Sequence, residues 1–203
     1  MKKMAKKIIA ALLVIAMVSM LAACGSSGGD SAETSSDAEG AADEDIQVVF
    51  STYALLSPFF VAAAYGYMEE CNNLGIEPML MEAGNNMQTQ INQIDNAITR
   101  GADAIIIVPY DSDGLAVAVE KCKEAGIPTF SIDRTITGDQ TTAVLQSNNV
   151  ECGRMVAREF LKQFEAKGLT EVDLIQIRGQ LGTSPSRDRD QGFWEVINSP
   201  DKI

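Results

Sequence analysis

The chain has 203 residues, 28 acidic against 16 basic, with four cysteines and no histidine. A formal net charge of -12 opposes a nucleic-acid surface, because phosphate binding needs clustered Lys and Arg. The lack of histidine excludes a Ser-His-Asp triad, a Cys-His dyad and a His-ligated zinc site, and the cysteines are too few for a disulfide framework in a chain this long.

Lys2, Lys3, Lys6 and Lys7 form a cationic start, and Ile8 to Ala23 follows with only Ser19 polar. That run has the length of a secretory h-region and falls short of the roughly 20 residues of a membrane span. It ends in Leu21-Ala22-Ala23-Cys24, which resembles a bacterial lipobox. The resemblance implies a signal peptide over residues 1–23, cleavage before Cys24 and lipid on its thiol. A plain signal peptide with an incidental cysteine and a retained anchor are the alternatives. Residues 24–45 carry acids and no base, with no large apolar side chain. Such a Gly/Ser-rich segment cannot bury enough surface to offset chain entropy, so it reads as a disordered acidic tether. Losing residues 1–23 removes four lysines and no acid. A polybasic grip on anionic lipid is therefore excluded, and lipid at Cys24 is left as the membrane anchor.

From Ile46 onward short apolar runs alternate with helical periodicity. Ile46 to Thr52 predicts a strand. Pro58 to Asn73 predicts a helix, N-capped by Ser57 and stopped by Gly75. A strand over Ile76 to Glu82 carries Pro78. Asn86 to Arg100 is helical, with Ile91, Ile94 and Ile98 on one face. Ala104 to Val108 is continuously apolar, as a parallel strand covered on both faces should be. A helix over Asp113 to Ala125, a strand over Ile127 to Ile132 and a strand over Thr141 to Gln146 follow. Then come a helix over Asn149 to Ala166, a strand over Val172 to Ile177 and a helix over Pro185 to Asn198. Repeated β-α units predict an α/β fold, a doubly wound parallel sheet with right-handed crossovers. A proline within a strand belongs at a sheet edge. Pro78 thus favours the 2-1-3-4-5 strand order, in which the second strand is the edge. In that order the helices of Cys71 and Cys122 lie on opposite faces, so no bridge joins them.

Open parallel sheets bind ligands beyond the carboxyl ends of their strands. Those ends deliver Ser51, then Ser57, Phe59 and Phe60; Glu82, Asn85 and Asn86; Val108 and Asp111; Asp133 and Arg134; and, from the last strand, a loop leading to Arg187 and Arg189. No Gly-rich phosphate motif is present. Aromatic rings suit the C–H faces of a sugar. Acceptor-only Asp and donor-only Arg together satisfy hydroxyls that both donate and accept. Asn85, Asn86, Asp111 and Asp113 read as caps, Arg187 as structural, and Met79 with Met81 as core.

Several blocks occur in a specific order. They are Phe50-Ser51-Thr52, Ser57-Pro58-Phe59-Phe60, Gln90-Ile91-Asn92-Gln93-Ile94, the run Gly101 to Ile107, Pro109-Tyr110-Asp111-Ser112-Asp113, Gly126-Ile127-Pro128, Asp133-Arg134, and Gly182-Thr183-Ser184 through Arg187-Asp188-Arg189 to Gly192-Phe193. Together they resemble the ribose-type periplasmic sugar-binding proteins of bacterial ABC importers, over residues 46–198. The resemblance implies two lobes: residues 46–147 as the first, and residues 148–203 as the start of a second, incomplete one in a chain truncated at its C-terminus. It implies capture of a monosaccharide, a pentose or hexose, between the lobes and delivery to ABC permease subunits, by a monomer held outside the cytoplasm on lipid. It places Phe59 and Phe60 beside the sugar and assigns Asp133, Arg134 and Arg189 to its hydroxyls, with Ser51 and Ser57 in the first loop. Three departures stand out. The Ser51–Ser57 stretch is two residues longer, Ser57 replaces an amide, and Val108 replaces an Asn, so ribose itself is not specified. No cofactor, metal or catalytic residue is implied. The alternatives are a receptor presenting a sugar or furanosyl signal to a sensor kinase, and a sugar hydrolase using Asp133 with Glu82 or Asp111.

Overall fold

A computed structural model describes residues 46–138 and 141–199. The signal segment, Cys24 and the acidic tether lie outside the described residues. Five strands form one parallel sheet: β1 (Val48–Thr52), β2 (Met79–Glu82), β3 (Ala104–Val108), β4 (Thr129–Ile132) and β5 (Ala143–Leu145). Their order is β2-β1-β3-β4-β5, as Pro78 foretold. Pro78 itself stands just before β2 rather than within it, because its missing N–H cannot join the ladder.

The helices are α1 (Pro58–Leu74), α2 (Met87–Thr99), α3 (Ala116–Glu124), α4 (Asn149–Ala166) and α5 (Ser184–Ile197). Ser57 caps α1 by accepting from the Phe59 N–H, and Gly75 ends it at φ 72°, a left-handed conformation that glycine enters freely. Asn86 caps α2 through the Thr89 N–H. The helix expected from Asp113 begins only at Ala116. Asp111 explains the delay: its Oδ1 accepts from the Asp113 and Gly114 N–H groups at 3.0 and 2.8 Å, which holds those residues in a turn.

Strand alternation splits the core into two layers. Val49, Ile105 and Ile107 face α2 and α3 with Ile94, Leu115 and Cys122. Phe50 and Val108 face α1 with Phe60, Tyr67 and Cys71. The two cysteines thus lie on opposite faces and are unbridged. Burying side chains such as Ile105 or Ile107 fully contributes about 1.5–3 kcal/mol each. Tyr67 closes its layer with a polar tie. Its hydroxyl donates to the Val48 carbonyl at 2.7 Å and accepts from the Met79 N–H at 2.8 Å. Burial pushes its pKa up to about 12.

Residues 148–199 hold α4 and α5 packed together. Glycine makes that approach possible: a Cβ on Gly153 would lie 2.1 Å from the Arg189 carbonyl oxygen, and one on Gly192 1.9 Å from that of Val150. The strand expected over Val172–Ile177 is not formed; residues 171–180 have no regular structure. A strand is stable only when its N–H and C=O groups pair laterally, and no described strand runs beside this segment. Its apolar side chains are accordingly open, with Ile175 and Ile177 90% and 94% exposed.

Candidate functional site

The carboxyl ends of β1, β3 and β4 meet in one polar-aromatic cluster. Gln90 of α2, fully buried, ties two of them together. Its Nε2 donates to the Val108 carbonyl at 2.9 Å and to Ser51 Oγ at 3.3 Å, and its Oε1 accepts from the Tyr110 N–H at 2.8 Å. Ser51 is therefore turned into the core, with no exposed surface.

β4 ends at Ile132, and Asp133 follows at φ 67°. Asp tolerates this left-handed conformation better than most non-glycine residues, yet it costs free energy. The reversal is pinned by the Asp133 N–H donating to the Leu145 carbonyl at 2.8 Å. It brings Arg134 back over the end of the sheet, where it is only 7% exposed. A buried cation must be compensated. Arg134 Nη1 donates to the Pro109 and Tyr110 carbonyls at 2.9 and 3.1 Å. Its Nε lies 3.7 Å from Asp133 Oδ2. The guanidinium carbon stands 4.1 Å from the Tyr53 ring centroid and 5.7 Å from that of Phe60.

Of the two phenylalanines, Phe60 is buried and Phe59 is 55% exposed. Their rings meet edge to face at 5.2 Å, and Phe60 meets Tyr53 in the same way at 5.2 Å. The rotation of about 100° between adjacent helical positions explains the split. Ser57 is half-buried, its Oγ occupied by the cap to Phe59 at 3.3 Å.

The α5 side reaches this cluster through its leading loop. Gln180 Nε2 donates to the Tyr110 carbonyl at 3.0 Å. The Ser112 N–H donates to the Gly182 carbonyl at 2.9 Å, and the Ser184 N–H to Ser112 Oγ at 3.0 Å. Ser184 Oγ accepts from the Thr135 N–H at 2.8 Å. Arg187 pairs with Asp113 at 3.2 Å. Arg189 is exposed, and its Nε donates to Asn149 Oδ1 at 2.9 Å. It lines a cavity of about 780 Å³ between α4, α5 and residues 174–179.

The structure thus joins Asp133, Arg134, Phe60 and Phe59. It sends Ser51 into the core beneath them and ties Arg189 to the α4–α5 crossing. Tyr53, Tyr110, Gln90 and Gln180 belong to the same cluster and are not marked by the strand-end argument. The arrangement can recognise and hold: acceptor oxygens of Asp133 stand beside the buried Arg134 donors in a half-buried, aromatic setting, where a charge-assisted hydrogen bond counts for more than a neutral one. Asp133, Glu82 and Asp111 belong to different strand ends, and Asp111 is spent on its own turn. Among the described residues no group of His, Cys, Asp or Glu is placed to hold a metal ion.

Comparison with known proteins gives the family. The model of the periplasmic binding protein domain matches residues 48–203. The ribose import binding protein of Escherichia coli (strain K12) is 30% identical over 156 residues, which are 77% of this chain and 51% of that protein. The D-apiose import binding protein of Actinobacillus succinogenes is 32% identical over 144 residues, 70% of this chain and 45% of that protein. The Caulobacter myo-inositol binding protein, solved with myo-inositol bound, superposes with a TM-score of 0.65 at 27% identity, covering 80% of this chain and 54% of that one. The chain spans about half the length of the curated relatives it matches. With a domain model covering all of the described fold, the chain belongs to the periplasmic binding protein family.

Proposed function

We propose that this chain captures a monosaccharide, a pentose or hexose, outside the cytoplasm and hands it to an ABC permease, without chemistry of its own. Its relatives named above are import binding proteins for ribose and apiose and a binder of myo-inositol, ligands rich in hydroxyls. In this reading the acidic segment after residue 23 is the tether, and lipid at Cys24 holds the protein at the membrane.

The observation that carries the proposal is the Asp133–Arg134 pair. Nη1 of Arg134 is held by two backbone carbonyls. Nη2 makes no hydrogen bond among the described residues, and Asp133 keeps 27% of its side chain exposed. A sugar hydroxyl that accepts from Nη2 and donates to Asp133 satisfies both. Phe59 offers the open ring for a C–H face, with Phe60 behind it. Ser57 fixes the start of α1 that presents Phe59. Ser51, being buried, contributes through Gln90. Arg189 supplies a donor from the α5 side. A site of this kind rejects ligands lacking a hydroxyl, since its polar groups would go unpaired.

Asp133→Asn tests this. Asn keeps the shape and tolerates the left-handed backbone but removes the charge and part of the accepting capacity. In calorimetric titration against D-ribose, D-apiose and myo-inositol, the variant should lose at least tenfold in affinity, about 1.4 kcal/mol, with its thermal unfolding unchanged. Equal affinity for the bound sugar in both proteins would remove Asp133 from the site.

A further inference from the structure

We infer that Tyr53 is a positioning residue for this site, the ring that holds the Arg134 guanidinium in its ligand-reading pose. The inference rests on the sugar-binding reading for its consequence and on geometry alone for its cause.

Tyr53 follows β1 directly, and its backbone is fixed on both sides. Its N–H donates to the Val108 carbonyl at 3.2 Å, and its carbonyl accepts from the Asn85 N–H at 2.7 Å. The ring is oriented by two edge-to-face neighbours, Phe60 at 5.2 Å and Tyr110 at 6.3 Å between centroids. A ring so fixed is a rigid platform. The Arg134 guanidinium carbon lies 4.1 Å from its centroid, closer than to any other aromatic it meets.

The two carbonyls that bind Arg134 both take Nη1. Alone they leave the guanidinium free to swing about that nitrogen, since Asp133 at 3.7 Å from Nε is beyond hydrogen-bond distance. The Tyr53 ring removes this freedom by covering one flat face of the cation, where ring quadrupole and charge attract. An incoming oxygen must then approach in the guanidinium plane, from the Nη2 side, beside Asp133. The ring prepares the donor before ligand arrives, and preorganisation of that kind raises affinity by sparing the ordering cost on binding. The ring face of Tyr53, not its hydroxyl, covers the cation.

Two substitutions separate ring from bulk. Tyr53→Phe keeps the aromatic face, and Tyr53→Leu keeps apolar volume without it. In proton–nitrogen spectra of the chain, the Arg134 Nε–Hε resonance should lie upfield from the ring current in wild type and in Tyr53→Phe. It should move to the ordinary position in Tyr53→Leu, while backbone amide dispersion shows that each protein is folded. Calorimetric titration with D-ribose, D-apiose and myo-inositol should give affinities within about twofold for Tyr53→Phe and about tenfold weaker for Tyr53→Leu. An unmoved Arg134 resonance in Tyr53→Leu overturns the inference, as does equal weakening by both variants. If Tyr53→Leu does not fold, loss of the upfield shift in Tyr53→Phe overturns it by itself. Failure of wild type to bind any of the three sugars would count against the proposed function, whereas the spectral comparison still decides whether Tyr53 holds Arg134.

Discussion

Gln90 shows how much one side chain supports the site. It is fully buried and binds the Val108 carbonyl, the Tyr110 N–H and Ser51 Oγ. Gln90→Leu keeps the volume but leaves the Tyr110 N–H unpaired, at a cost of about 1–3 kcal/mol, while the Val108 carbonyl keeps the Tyr53 N–H as a partner. Urea unfolding should show a loss of about 1–3 kcal/mol; a loss under 0.5 kcal/mol would mean that water replaces the amide without penalty. Asp133 and Arg134 are legible in the sequence, because a carboxylate and a guanidinium directly after an apolar strand stand where open sheets bind ligands. Gln90 is not, since helical periodicity marks Ile91, Ile94 and Ile98 and assigns a glutamine to solvent. Tyr53 is hidden for a related reason: an aromatic next to an apolar strand reads as core, and its partner Arg134 is remote in sequence.

Among elements, the outcome follows from whether the stabilising partner is local or distant. Caps and stops are local, so Ser57, Asn86 and the bounds of α4 follow from the text. The edge position of β2 agrees with the expectation drawn from Pro78, although the proline stands just outside the strand. Val172–Ile177 has strand composition, but a strand needs a neighbour, and composition carries no information about that neighbour. The α4–α5 pair has its own electrostatic tie. Arg154 bonds Glu195 at 2.7 Å and Glu151 at 3.3 Å, and Arg158 bonds Glu151 at 2.7 Å. Hydrogen bonds from Arg158 and Arg154 hold Glu151 below its ordinary pKa of 4.5, and bonds from Gln191 and Arg154 do the same for Glu195. A lowered folded-state pKa stabilises the fold above the unfolded value and is lost as pH falls through the folded one. These groups are exposed, so the effect is modest and salt-screened. Trp194, the sole tryptophan, lies on α5 beside Glu195. Its emission should stay constant down to about pH 4.5 and change below it, with the change reduced in high salt. A transition centred above pH 5 would place the loss elsewhere.

At the scale of the whole molecule, the parallel order β2-β1-β3-β4-β5 decides which residues meet. The crossovers send α1 to one face and α2 with α3 to the other, and every loop that leads from a strand into a helix lies at the same, carboxyl end of the parallel sheet. Residues far apart in sequence, Tyr53, Gln90, Tyr110, Arg134 and Gln180, therefore assemble there without any one segment encoding the site. The loop before α5 docks on that end through Ser112, Gly182 and Ser184, so this loop borders the cluster. In the proposed function, this end of the sheet receives a sugar through Asp133 and Arg134. The most direct measurement is a proton–nitrogen spectrum of the chain titrated in turn with D-ribose, D-apiose and myo-inositol. Saturable shifts are expected for at least one sugar, centred on the Asp133 amide, the Arg134 Nε–Hε and the Phe59 amide. Saturable shifts confined to the cavity between α4 and α5, or none at Asp133 and Arg134 with any of the three, would contradict the proposed function.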